Sequence, residues 1–160
     1  MKTVILCGGY GTRLSEETII KPKPMVEIGG YPILWHIMKR YHKFKINNFI
    51  IALGYKGDYI KNYFSNYQIK TNNLSIDFES SELKYLTNNS EKWKVDLIDT
   101  GLNTMTGGRL LRLKPELENE EIFMLTYGDG VSNVNINKLI QFHKSHGKIG
   151  TMTVVRPPVR

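Results

Sequence analysis

The run Leu6-Cys7-Gly8-Gly9-Tyr10-Gly11-Thr12-Arg13-Leu14, continued by Thr18 and Lys21-Pro22-Lys23-Pro24-Met25, decides how the rest of the chain is read. Residues 3–7 are almost all apolar or β-branched and stop at two glycines, which predicts a short buried strand. A glycine-rich turn after such a strand lets the backbone approach a ligand closely, and its free N–H groups can hold phosphate oxygens. Arg13 adds a cation able to fork onto phosphate. Lys21 and Lys23 each precede a proline, which favours extended geometry and would turn both ammonium groups toward one anion.

The run is not a P-loop, because the closing Gly-Lys-Ser/Thr is absent. Nor is it a dinucleotide fingerprint. Leu14 stands where the third glycine belongs, and Leu53-Gly54 rather than an acidic residue closes the next strand. The 160 residues suit one domain with a real core. Twenty-two Lys and Arg against 15 Asp and Glu leave a formal net charge of +7, which favours an anionic ligand. The basic residues are scattered and form no nucleic-acid motif, so nucleic acid is not expected as a partner. The single cysteine, Cys7, excludes a disulfide within the chain and favours a cytoplasmic setting; its place at a strand end reads as packing. No leader is recognised and no apolar run approaches the ~20 residues needed to cross a bilayer, so no membrane association is expected.

Outward from the glycine run, residues 31–44 carry apolar side chains at three- and four-residue spacing and predict a helix. Residues 49–53 read as a second buried strand, and 56–67 as a second helix. This strand–helix–strand–helix order argues for a parallel sheet covered on both faces, with ligands at the strands' carboxyl ends. Asn72-Asn73 and Asn88-Asn89 bracket a small antiparallel excursion over 74–78 and 83–86. A strand is expected over 93–98 and a helix over 109–117, with Thr106 as its cap and Pro115 weakening its last turn. A buried strand over 122–126 ends in Tyr127-Gly128-Asp129-Gly130. A carboxylate between glycines suits Mg²⁺, which takes one or two protein carboxylates with phosphate oxygens; a plain turn aspartate is the alternative. A further helix spans 136–146 and a strand 150–155. His143 and His146 share a helix face, but no further His or Cys nearby completes a zinc site, so a solvated helix end is favoured.

Taken whole, G-G-x-G-T-R-L, a spacer, P-K-P-M and Gly29-Gly30 resemble the signature of the sugar-phosphate nucleotidyltransferases. The resemblance implies an α/β, Rossmann-like, mostly parallel sheet flanked by helices. Ser15-Glu16-Glu17-Thr18, Trp35-His36-Ile37-Met38, Asp99-Thr100-Gly101, Met105-Thr106-Gly107-Gly108-Arg109, Thr126-Tyr127-Gly128-Asp129-Gly130 and Phe142-His143-Lys144 look like the branch that transfers a cytidylyl group to sugar phosphate. It implies CTP and glucose 1-phosphate as substrates, CDP-glucose and pyrophosphate as products, and a role in surface polysaccharide synthesis such as O-antigen dideoxysugars.

By the same resemblance, Leu6, Cys7, Gly8, Gly9 and Tyr10 with Gly11, Thr12 and Arg13 form the nucleotide-binding loop. Lys23 contacts substrate, Thr104 and Arg109 belong to the segment holding the nucleotide, Gly128 touches nucleotide or sugar, and Asp129 ligates Mg²⁺. Arg13, Lys23 and Asp129 carry the catalytic roles. The family assembles into multimers, so a homo-oligomer is expected. The family chain runs on past Arg160 with a second metal-binding aspartate and much of the sugar pocket. The 160 residues are therefore expected to be a single nucleotidyltransferase domain's nucleotide-binding portion, apparently truncated at the C-terminus. Two alternatives stay open: a non-catalytic nucleotide-binding fragment, or a transferase using another nucleotide or sugar phosphate.

Overall fold

The computed structural model describes residues 1–11 and 20–156. Thr12, Arg13, the remainder of the signature through Thr18, and residues 157–160 lie outside the described residues.

Four strands pair in parallel: β1 (Thr3–Leu6), β4 (Asn48–Leu53), β7 (Lys94–Asp99) and β8 (Met124–Tyr127), in the order β7-β4-β1-β8. Counted by sequence this is third, second, first, fourth. The chain therefore reverses its direction of travel across the sheet between β1 and β8, and such a switch point opens a crevice at the carboxyl ends of its two strands. Leu6 stands opposite Ala52 on one side and Tyr127 on the other.

The strand residues sort by parity, as a pleated strand requires. Ile5, Phe49, Ile51 and Leu53 face one core with Leu34, Ile37, Met38 and Tyr41 of α1 (Ile33–His42), Ile60 of α2 (Gly57–Ser65) and Ile136 of α6 (Ile136–His146). Val4, Leu6, Ile50 and Ala52 face a second core, where Leu113 and Leu117 pack beside α4 (Thr106–Arg112) and α5 (Lys114–Leu117). Helices on both faces bury the two central strands almost completely.

Two small antiparallel pairs complete the fold. β2 (Glu27–Ile28) pairs with β3 (Tyr31–Pro32), and β5 (Leu74–Asp77) pairs with β6 (Glu82–Tyr85), which is the expected excursion. The first of these removes Tyr31 and Pro32 from the expected first helix, which begins at Ile33.

Several expectations are corrected. The helix over 56–67 breaks at Asn66, whose amide side chain bonds the Asn62 carbonyl, and a short α3 (Tyr67–Thr71) follows. The helix expected over 109–117 starts earlier, at Thr106, and divides at Leu113. Thr106 is its first residue and makes no side-chain cap, and Pro115 opens α5, where its missing N–H is harmless. The strand expected as buried over 122–126 is β8, which lies at the sheet edge and is half exposed along its length. Residues 150–155 form no strand, for no neighbouring strand among the described residues supplies a hydrogen-bond ladder. Helix α6 matches its expected bounds; the Asn135 side chain accepts from the Lys138 N–H, and Gly147 ends it with a φ of 63°.

Replacing Ile51 by Ala should lower unfolding free energy by about 2–5 kcal/mol, because that side chain is fully buried between sheet and helices. Replacing Asn135 by Ala should cost only about 1 kcal/mol. Denaturant melts read both, and a larger loss at Asn135 than at Ile51 would contradict this assignment of the core.

Candidate functional site

A cavity of about 230 Å³ opens at the carboxyl ends of β1 and β8, at the switch point. The glycine loop forms one wall through Leu6, Cys7, Gly8, Gly9 and Gly11. Lys23 and Pro24 form a second, Thr104, Met105, Thr106 and Arg109 a third, and Tyr127 and Asp129 the rim after β8. Residues far apart in sequence thus share one concavity because each ends a parallel strand or lies in the loop, turn or helix that follows one.

Lys23 and Asp129 meet directly: Lys23 Nζ donates to Asp129 Oδ2 at 2.6 Å. Lys23 sits in a 3₁₀ turn, Lys23–Met25, closed by Met25 N–H to Pro22 O and Val26 N–H to Lys23 O. Burial of Pro24 and Met25 under the loop selects this turn over the extended path expected for a residue before proline. Lys21 consequently turns away to Glu27, at 3.8 Å, so the two lysines face different carboxylates rather than one anion.

Gly128 stands beneath the cavity, packed against Cys7 Sγ, Leu6 O and Pro24. A Cβ there would lie 2.5 Å from the sulfur and 3.1 Å from each of the others, which is why the turn before Asp129 needs glycine. Cys7 is buried; burial first, and the charge of Asp129 second, push its thiol well above the ordinary range. It therefore stays a neutral packing group rather than a nucleophile. Tyr10 does not line the cavity; its hydroxyl donates to Asn103 Oδ1 at 2.6 Å and its ring meets Tyr55.

Arg109 is buried in the far wall with every Nη hydrogen engaged. Nη1 donates to Leu53 O, Thr100 Oγ1 and Gly101 O at 2.7–2.9 Å; Nη2 donates to Gly8 O at 2.9 Å and Leu102 O at 3.3 Å. These acceptors are all neutral. Burial lowers the guanidinium's proton affinity, with Asp99 opposing and Arg112 adding to that shift. A guanidinium keeps its proton regardless, so the wall carries a fixed positive charge.

Of the residues named from sequence, Leu6, Cys7, Gly8, Gly9, Gly11, Lys23, Thr104, Arg109 and Asp129 line the cavity; Gly128 lies beneath it and Tyr10 outside it. Thr12 and Arg13 are outside the described residues. Pro24, Met105, Thr106 and Tyr127 were not singled out as site residues. Tyr127 could have been found by asking which residue stands beside Leu6 across the sheet. Thr100 stood in the sequence only within the Asp99-Thr100-Gly101 motif, with nothing local to give its side chain a role. His143 and His146 both bond Thr151 Oγ1, at 2.9 and 2.8 Å, at the end of α6. No group of three or more His, Cys, Asp or Glu suited to a metal occurs among the described residues.

The family model described as nucleotidyl transferase matches residues 2–160. This chain belongs to the nucleotidyl transferase family. Glucose-1-phosphate cytidylyltransferases of Salmonella typhimurium and Salmonella typhi are each 52% identical to this chain over 160 residues, all of this chain and 62% of theirs. The chain thus spans less than two thirds of the length of these curated relatives. Among solved structures, HddC from Yersinia pseudotuberculosis complexed with GMP-PN superposes with a TM-score of 0.65 at 30% identity, over 89% of this chain and 53% of that one. No helix among the described residues is long and apolar enough to cross a membrane.

Replacing Gly128 by Ala should cost about 1–3 kcal/mol through overpacking. In a Cys7→Ala background the penalty should fall by about 1 kcal/mol, since the nearest clashing atom is gone. Strictly additive losses in a double-mutant cycle would contradict the packing described.

Proposed function

We propose that residues 1–160 are the nucleotide-binding portion of a glucose-1-phosphate cytidylyltransferase, handling CTP and glucose 1-phosphate in the formation of CDP-glucose. The observation that carries this reading is the joint cavity of the glycine loop, Lys23 and Asp129, in a chain 52% identical to the Salmonella enzymes. In the proposed reaction a phosphate oxygen of the sugar phosphate attacks the α-phosphorus of CTP. A new P–O bond forms, the bond from the α-phosphorus to the bridging oxygen breaks, and pyrophosphate leaves with that electron pair.

Such a transfer needs aligned reactants and neutralised charge rather than a covalent intermediate on the protein. Loop N–H groups and the ammonium of Lys23 supply positive potential at the cavity mouth, Arg13 adds a third source by resemblance, and Arg109 contributes charge from the wall. That Thr104 lines the cavity supports a contact with the nucleotide, and the bare backbone of Gly128 supports a close passage of the chain beside it.

Asp129 fits one role for Mg²⁺: it is a hard oxygen donor, partly exposed, on the rim beside where phosphates would sit. With only this carboxylate lining the cavity among the described residues, the metal would take its remaining ligands from phosphate and water. When bound it would supply charge neutralisation at the transferring phosphorus. Lys23, held at 2.6 Å from Asp129, would then exchange that carboxylate for phosphate oxygens. The single lining carboxylate also favours a second reading, a nucleotide-binding unit that has little turnover by itself.

CTP with Mg²⁺ should raise the melting temperature of the 160-residue chain more than UTP or dTTP does, because a ligand that binds only the folded state stabilises it. Lys23→Ala should weaken CTP binding about tenfold, near 1.4 kcal/mol, while leaving the unliganded melting point little changed. Radiolabelled CTP with glucose 1-phosphate should give little or no CDP-glucose from this chain alone. Equal responses to the three nucleotides would overturn the cytidylyl assignment, and unaltered CTP binding by Lys23→Ala would remove Lys23 from the site.

A further inference from the structure

Thr100 is fully buried just after β7, outside the cavity lining, yet its hydroxyl is the hub of the wall behind it. Thr100 Oγ1 donates to Leu53 O at 2.6 Å and accepts from Arg109 Nη1 at 2.7 Å. Its own N–H also donates to Leu53 O at 3.0 Å, and its carbonyl accepts from Arg112 Nη1 at 2.7 Å. Through Arg109 the same hub reaches Gly8 O, whose second donor is the Tyr55 N–H at 3.1 Å. The ends of β1, β4 and β7 are therefore joined by one hydroxyl and one guanidinium.

We propose that Thr100 is a positioning residue: it orients the Arg109 fork so that the fork pins the Gly8 carbonyl and holds the glycine loop in its ligand-ready path. The constraint at Gly8 is severe. A Cβ on Gly8 would run into the Arg109 guanidinium, and one on Gly54 would come within 2.6 Å of it and 2.7 Å of Gly8 O. The guanidinium fills the space between the two loops, so a tilt of its plane moves both. The Thr100 hydroxyl is the shortest of three Nη1 contacts, at 2.7 Å against 2.8 Å to Gly101 O and 2.9 Å to Leu53 O, and it donates to the same Leu53 O that the Thr100 N–H and Nη1 share, so it fixes where Nη1 sits between the other two acceptors. Valine has the same shape but lacks this contact, so Nη1 keeps only Gly101 O and Leu53 O, and Leu53 O keeps the Thr100 N–H and Nη1. The cation then relaxes toward other acceptors and releases Gly8.

The consequence for ligand affinity rests on the nucleotide-binding reading above; the loop consequence does not. Amide hydrogen exchange and CTP titration on wild type, Thr100→Val and Thr100→Ser separate the two. Thr100→Val should speed exchange at the Tyr55 amide at least tenfold while amides inside α6 change little, and should weaken CTP binding about tenfold. Thr100→Ser, which restores the hydroxyl, should return both to within about twofold of wild type. Uniform acceleration in all elements, or no rescue by serine, would reduce Thr100 to a general packing residue and overturn the proposal. If Thr100→Val does not fold, Arg109→Lys, which keeps the charge and removes the fork, should reproduce the local exchange at Tyr55; unchanged exchange there would equally overturn it. Failure of the wild type to bind CTP would defeat the nucleotide reading alone, because the exchange result still decides the role of Thr100.

Discussion

The parallel register between β1 and β8 is the constraint on which the site depends. Leu6 opposite Tyr127 puts the first residues beyond both strands side by side, so Cys7 and Gly8 emerge next to Gly128 and Asp129. The Gly128 N–H bonds the Leu6 carbonyl at 3.0 Å and extends the ladder by one step past β8. A slip of one residue would turn every side chain to the opposite face. It would also drive a β-carbon into Cys7 Sγ in place of Gly128's bare backbone. Core packing protects this register on both sheet faces, which is how burial of Ile5 and Val4 comes to govern the placement of a surface carboxylate.

Above that register the charges are arranged by turns rather than by strands. The 3₁₀ turn lifts Lys23 over the loop to reach Asp129, and a buried arginine closes the back wall. The result is a concavity with fixed positive charge behind it and an ion pair at its mouth. An ion pair this exposed contributes at most about 1 kcal/mol to stability. The pair therefore does little for the fold, and under the proposed function its two partners act on the phosphorylated ligand instead.

Much of this was legible in the chain itself. The apolar run ending at Gly8-Gly9, the helical spacing of Leu34, Ile37, Met38 and Tyr41, and the strand before Gly128 carried the succession of strands and helices and the parallel sheet, because burial leaves a periodic trace; the spatial order of the strands was not legible. The lining by Leu6, Cys7, Gly8, Gly9, Gly11 and Asp129 accords with the rule that ligands gather at strand carboxyl ends, whereas Tyr10, named with them, lies outside the cavity. What escaped were features set by tertiary contact. Nothing local says that Lys23 would prefer a 3₁₀ turn, that Leu113 would divide a helix, or that residues 150–155 would lack a ladder. The role of the Thr100 hydroxyl escaped for the same reason, although Asp99-Thr100-Gly101 was itself a recognised motif: it matters only because Leu53 and Arg109, 47 and 9 residues away, converge on it.

The central claim is that a nucleoside triphosphate lies between the glycine loop and the carboxylate after β8, held by backbone N–H groups and Lys23. A crystal structure with CTP and Mg²⁺ tests it most directly. The account predicts phosphate oxygens within hydrogen-bond distance of the Gly8–Gly11 backbone and of Lys23 Nζ, with the metal on Asp129. Triphosphate density elsewhere on the molecule, with the Lys23–Asp129 pair intact and the cavity without nucleotide, would contradict it.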